Sequence, residues 1–219
     1  HIQLSPELTG WLLFGGMTEE GDVLRDTWLY KYESGWEEIL TSEATPPQRA
    51  YFFMGHCDKD TIAIFGGQGR SSILDDVWFF EANQENNGQW TQDPDILGPR
   101  PSARSMMHVG HPSKTESYLA GGTSQGGDLL SDVWKCADRL WENVSQTVPI
   151  PIKYRSLSAM TPPDEEAILR NQLHLIGGED QTQLYDNHRY WNLSSWQTIS
   201  IGSYSDLTSD GHPLPLSRA

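Results

Sequence analysis

Ile62-Ala63-Ile64-Phe65-Gly66-Gly67, followed by Asp76-Val77-Trp78 and then by Trp90, is the stretch that decides the fold of this chain. A short run that is apolar at every position suits a strand buried on both faces. The Gly pair that closes it answers one of two needs: positive φ at the strand end, or close approach of a neighbouring backbone where a Cβ would not fit. The same succession is written three more times. Runs at Trp11 to Phe14, Tyr118 to Ala120 and Leu173 to Ile176 end in Gly15/Gly16, Gly121/Gly122 and Gly177/Gly178, and the four pairs are separated by 51, 55 and 56 residues.

Each pair is followed by a loop rich in Gly, Ser and Asp and then by a third-strand signal: Asp26-Thr27-Trp28, Asp76-Val77-Trp78, Asp132-Val133-Trp134 and, more weakly, His188-Arg189-Tyr190. A fourth strand follows with Trp36, Trp90, Trp141 or Trp196, so seven of the nine Trp stand at repeat positions. Large rings there pack one unit on the next, each burying on the order of 150 to 250 Å². The connectors carry two prolines and then an Arg: Pro46/Pro47 with Arg49, Pro99/Pro101 with Arg104, Pro149/Pro151 with Arg155, Pro213/Pro215 with Arg218. Proline keeps them out of the ladders. A first strand is predicted after the Arg, at Tyr51 to Met54 and Ser105 to Val109, with hairpin turns at Gly55-His56 and Gly110-His111.

Four strands in a period this long make one blade of an all-β propeller, not a turn of a helical solenoid. The expected blades are 1–40, 49–92, 104–145 and 155–200 of one domain covering 1–219, with 201–219 either opening a further blade or closing the ring.

These marks resemble the kelch repeat, in which a Gly pair closes the second strand, an aromatic stands in the third and a Trp in the fourth. The resemblance covers essentially the whole chain. It implies a kelch-type β-propeller, and since such propellers commonly close with five to seven blades, the four visible here are expected to be part of a larger ring. A four-bladed ring is the alternative: from Arg218 through Ala219 and on from His1 to Gly15 would be 16 residues, against 17 from Arg49 to Gly66 and from Arg104 to Gly121.

Composition narrows the partners. With 15 Lys+Arg against 30 Asp+Glu, the net charge of −15 repels a nucleic-acid backbone or an anionic membrane surface. No apolar run reaches the length needed to insert in a bilayer. Cys57 and Cys136 fall in different blades at non-equivalent positions, which argues against a disulfide framework and leaves cytoplasmic and secreted settings equally open. If the chain is secreted, Asn143-Val144-Ser145 and Asn192-Leu193-Ser194 would be N-glycan acceptors.

Function has to come from the loops, because the fold hosts many roles. In peptide-binding kelch propellers the ligand rests on one face of the ring, against residues after the Gly pair and residues that begin the first strand. The resemblance carries the first set onto Met17, Gln68, Arg70, Thr123, Ser124 and Glu179, and the second onto Arg49, Arg104, Arg155 and Arg218. An Arg cluster in an acidic protein would focus positive potential on an acidic peptide through bidentate bonds. The competing reading is that an Arg repeated in every blade bonds carbonyls and serves the architecture. No cofactor and no metal are expected, since His56 beside Cys57 gives two donors where zinc wants four, or three plus water.

Three function classes follow. The first is a non-catalytic module that binds a protein or peptide within a larger protein. The second is a kelch-type enzyme, copper radical oxidase-like or sugar-modifying. Its oxidase set of a Cys-linked Tyr, a second Tyr and His ligands is not matched here, and no Glu has an Asp four residues on, as an iron-dependent specifier motif would need. The third is a structural spacer in an extracellular multidomain protein. The first is the reading we carry forward.

Overall fold

A computed structural model describes residues 2–3, 10–31, 34–39, 44–82, 88–93, 98–111, 113, 115–145, 173–179, 184–191 and 196–199; among them there are strands, bridges and turns and no helix. The first sheet contains β1 (Ile2–Gln3), β2 (Gly10–Met17), β3 (Val23–Lys31) and β4 (Gly35–Glu38). The second contains β5 (Phe53–His56), β6 (Thr61–Phe65), β7 (Val77–Ala82) and β8 (Gly88–Gln92). The third contains β9 (His108–Gly110), β10 (Glu116–Ala120), β11 (Val133–Ala137) and β12 (Leu140–Asn143). A fourth shows β13 (Leu173–Glu179), β14 (Leu184–Trp191) and β15 (Trp196–Ile199). Within each sheet every strand pairs antiparallel with its neighbours in sequence, the meander of a propeller blade.

The first strands of the second and third sheets are the ones that shift from their expected places. β5 and β9 start later than predicted because Tyr51 and Met106, each two residues beyond the connector Arg, take φ of 55° and interrupt the ladder. Gly55 and His56 then pair with Ala63 and Ile62, so the predicted turn at Gly55-His56 is strand, and the chain bends at residues 57–60 instead. Gly110 likewise pairs with Tyr118.

Alternation along β6 shows how blades stack. Ala63 and Phe65 join the core shared with the third blade, beside Leu119, Trp134 and Trp141, while Ile62 and Ile64 join the core shared with the first, beside Leu12, Phe14 and Trp90. The second blade is thus buried on both faces, which is why its strand reads apolar at every position. The fourth-strand Trp packs on the preceding blade. The Trp90 ring centroid lies 5.0 Å from that of Phe14 and its Nε1 donates to Thr27 Oγ1 at 3.0 Å; the Trp141 ring is 5.1 Å from Phe53 and 5.5 Å from Phe65.

The Gly pair serves both needs at once. Gly66 has φ of 63°, and a Cβ on it would stand 2.7 Å from the Arg104 carbonyl oxygen of the next blade. Gly67 N donates to that same oxygen at 2.8 Å, and Gly16 N to the Arg49 carbonyl at 2.9 Å, so the pair is where one blade is bonded to the next.

One expectation is corrected. Cys57 and Cys136 form a disulfide, with Cα atoms 5.1 Å apart. Their positions are not equivalent within a blade, but adjacent sheets bring unlike positions face to face: Cys57 follows β5, Cys136 lies in β11, and both are fully buried in the core between the second and third blades. Arg139 closes the same seam from outside. Its backbone N–H donates to Cys57 O at 3.3 Å, its side chain bonds Asp58, Thr61 and Glu81 of the second blade, and its guanidinium carbon lies 5.1 Å from the Phe79 ring centroid.

Candidate functional site

The connector arginines are built into the blades. Arg49 donates from Nη1 to Asp76 Oδ1 at 2.8 Å and from Nη2 to Asp76 Oδ2 at 2.7 Å, and Nη1 also donates to the Gly66 carbonyl at 3.0 Å. Its Nε donates to Pro47 O at 3.1 Å. Arg104 repeats this on Asp132 at 2.5 and 2.8 Å, on the Gly121 carbonyl at 3.0 Å and on Ser102 O at 2.9 Å. The same aspartates accept the indole N–H of Trp78 and Trp134, at 2.7 and 2.6 Å. Burial pushes the Asp132 carboxyl up, but the bonds from Arg104 and Trp134 more than offset it and hold it below the usual carboxylate range.

Both guanidiniums have 0% exposure, so neither Arg49 nor Arg104 faces a ligand; the bidentate capacity seen in the sequence is directed inward to carboxylate and carbonyl. Arg155 and Arg218 lie outside the described residues. Glu179 ends β13 and pairs with Leu184, and Met17 ends β2 and pairs with Val23, so these two stand in extended hairpins and not in loops.

Of the first set, the exposed Gln68 and Arg70 and the buried Thr123 line a groove of about 330 Å³ between the second and third blades. One wall is the 68–73 loop, with Gln68 and Arg70 both exposed; the other is Ser105, Met106, Thr123 and Gln125. Each loop is anchored at its base by single bridges: Gln68 to Ala50 and Ile73, Thr123 to Ser105 and Leu129. The walls are joined where Ile73 N donates to Gln125 Oε1 at 2.5 Å. Arg70 makes no ion pair among the described residues, in contrast to Arg49 and Arg104. Ser124 is turned to its own loop, accepting from Asp128 N at 3.1 Å, and does not line the groove.

Thus Gln68, Arg70 and Thr123 are brought together at one groove, and the side chains of Ser124, Arg49 and Arg104 are directed elsewhere. Ser71, Ser72, Met106 and Gln125 also line the groove, beyond the residues singled out in the sequence. Gln125 had a signal, since it stands two residues after Thr123 as Arg70 does after Gln68. Met106 reaches the groove through its positive φ, which no side-chain pattern announces.

Two other features bear on chemistry. His111 accepts from or donates to Ser117 Oγ through Nδ1 at 2.9 Å, and burial, then the nearby His56, lowers its pKa to about 4. Asn143 of the first sequon is exposed at the end of β12, where its Oδ1 accepts from Ser145 Oγ at 2.6 Å; Asn192 lies outside the described residues.

Comparison with known proteins agrees with the fold. The family described as the KLHDC2/KLHL20/DRC7 Kelch-repeats domain matches residues 9–178. An F-box/kelch-repeat protein of Arabidopsis thaliana is 26% identical over 187 residues, 77% of this chain and 38% of that protein. The dynein alpha chain of the flagellar outer arm of Chlamydomonas reinhardtii is 22% identical over 206 residues, 85% of this chain and 4% of that one. Adagio-like protein 1 of Oryza sativa subsp. japonica is 25% identical over 170 residues, 76% of this chain and 25% of its own length. The chain therefore spans well under half of each of these relatives.

Proposed function

The chain belongs to the kelch-repeat family, and on that premise we propose that its 219 residues act as one non-catalytic interaction domain whose groove between the second and third blades takes a segment of a protein or peptide. The observation that carries the reading is the groove's lining. It offers the guanidinium of Arg70, the amides of Gln68 and Gln125 and the hydroxyls of Ser71 and Ser72, a set that suits a peptide backbone and a carboxylate. None of its lining residues is an Asp, Glu, His or Cys, so the groove has no acid–base pair or thiol to run a proton-transfer or nucleophilic step. The overall charge of −15 makes Arg70 a local exception that would steer an acidic segment to this spot. Its relatives support the reading by carrying the repeat as part of longer chains.

The test is to pan a displayed peptide library against the chain and titrate the selected peptides. The reading expects carboxylate-bearing peptides whose affinity falls at least about tenfold in Arg70→Glu, at unchanged melting temperature because the residue is exposed. Absence of saturable binding, or binding indifferent to both Arg70→Glu and Gln125→Ala, would remove it and favour the spacer.

A further inference from the structure

We infer that Tyr51 and Met106 are the apolar half of a binding surface whose polar half is Arg70, so that the segment taken by the groove carries a large apolar side chain within about two residues of its carboxylate. This names the chemistry of the segment and rests on the groove being the binding site.

The polar lining suits a peptide backbone and a carboxylate, but it leaves Ile73 and Met106 unused, although both line the groove. Met106 also stands out by its backbone. Among the described residues ten glycines have positive φ and four other residues do: Tyr51 and Met106 at 55°, Asp138 at 50° and Arg139 at 61°. Asp138-Arg139 is the two-residue turn between β11 and β12, where both positions need this conformation. No such turn asks for it at Tyr51 or Met106.

The bend at each of these two residues is set by the backbone around it. Ala50 is bridged to Gln68 by N–H to O bonds of 2.9 and 2.7 Å, and Ser105 to Thr123 by bonds of 3.0 and 2.8 Å. β5 and β9 then begin two residues beyond Tyr51 and Met106. The two bends are tied to each other, Met106 N donating to Tyr51 O at 2.9 Å. Glycine would take this backbone freely, and the repeat places glycine beside it at Gly67 and Gly122, where a Cβ would stand 2.8 Å from the carbonyl oxygens of Ala50 and Ser105. Large side chains on left-handed backbone are strained, and strain of this kind gathers at ligand clamps.

Core packing does not account for them. Their neighbours fill the cores: Phe52 packs against the one shared by the first and second blades, and Met107 belongs to the one shared by the second and third. Tyr51 is instead 48% exposed, and Met106 is half-buried at the groove. A flat amphipathic ring and an adaptable thioether on bonded backbones suit the flank of an aliphatic or aromatic side chain. Arg70 is the one charged residue among the described lining. The complementary segment is therefore acidic and apolar in close succession, laid out at about 3.3 Å per residue.

The test uses peptides selected on the whole chain and weakened by Arg70→Glu. Tyr51→Gly combined with Met106→Gly is expected to weaken them at least about tenfold, with a melting temperature at or above that of the parent. Tyr51→Asn with Met106→Asn, which keeps a side chain that tolerates left-handed backbone, should weaken them likewise. Changing the large apolar residue of the peptide to Ala should lose as much affinity against the parent and little against the Gly variant. Leu140→Ala removes an apolar side chain that is 61% exposed elsewhere on the third blade, and it should leave affinity unchanged. Peptides that need Arg70 yet bind the Gly and Asn variants like the parent would overturn the apolar surface and leave the groove as the binding site. A melting temperature lowered in both the Gly and the Asn variant would overturn it too, by showing that the two side chains serve the fold. Failure to select any peptide would remove the groove as a binding site and the apolar surface with it.

Discussion

Arg49 and Asp76 face each other as a two-pronged pair, Nη1 to Oδ1 at 2.8 Å and Nη2 to Oδ2 at 2.7 Å, with the guanidinium fully buried and its spare N–H on the Gly66 carbonyl. One side chain thereby ties the start of a blade to its Gly pair and to the head of its third strand. The repetition on Arg104, Asp132 and Gly121 shows that the arginine is repeated because the blade needs it.

Arg104→Ala leaves Asp132 half-buried with its pairing lost and the Gly121 carbonyl without a donor, a change expected to cost about 3–5 kcal/mol. Arg104→Lys should recover little, since an ammonium cannot match both carboxylate oxygens and the carbonyl together. Urea unfolding of the two variants checks this. A Lys variant as stable as the parent would show that charge alone, and not the fork, is what the blade requires.

The disulfide between Cys57 and Cys136 closes a loop of 79 residues, for which the chain-entropy estimate is about 4–5 kcal/mol. Both residues have 0% exposure. Cys57→Ser with Cys136→Ser is expected to lower the urea midpoint markedly. In the parent, reductant in native buffer should leave the bond intact, while reductant in denaturant should open it; free-thiol titration distinguishes the two.

His111 gives a pH signature. Its pKa is about 4 in the fold, so between about pH 6.5 and about pH 4 the unfolded chain takes up a proton that the folded chain refuses. Stability therefore falls as the pH drops through that window, by no more than about 3 kcal/mol from this ring. His111→Gln should flatten the fall while leaving stability at pH 7 nearly unchanged, as melts at pH 7 and pH 4.5 would show.

Much of this architecture was legible because repetition turns a weak local signal into a strong one. Trp28, Trp78 and Trp134 fell in third strands and Trp36, Trp90, Trp141 and Trp196 in fourth strands as their spacing required. What the pattern could not carry were contacts between unlike positions and backbone choices made by one residue. Cys57 and Cys136 meet because neighbouring sheets are offset, which comparison of like with like hides. Tyr51 and Met106 delay the first strand through a positive φ that neither side chain betrays. The destination of Arg49 and Arg104 was undecidable from sequence alone, since the same fork serves a ligand carboxylate or Asp76 and Asp132; burial decides it.

The central claim is that binding is located in the groove between the second and third blades and not at the repeated arginines. The direct measurement is hydrogen exchange on the whole chain with and without a selected carboxylate-bearing peptide, read at backbone amides. The account predicts slowed exchange in residues 68–73 and 123–125, where Gln68, Arg70, Thr123 and Gln125 line the groove, with the sheets unchanged. Protection confined to other loops, with residues 68–73 exchanging as in the free chain, would contradict it.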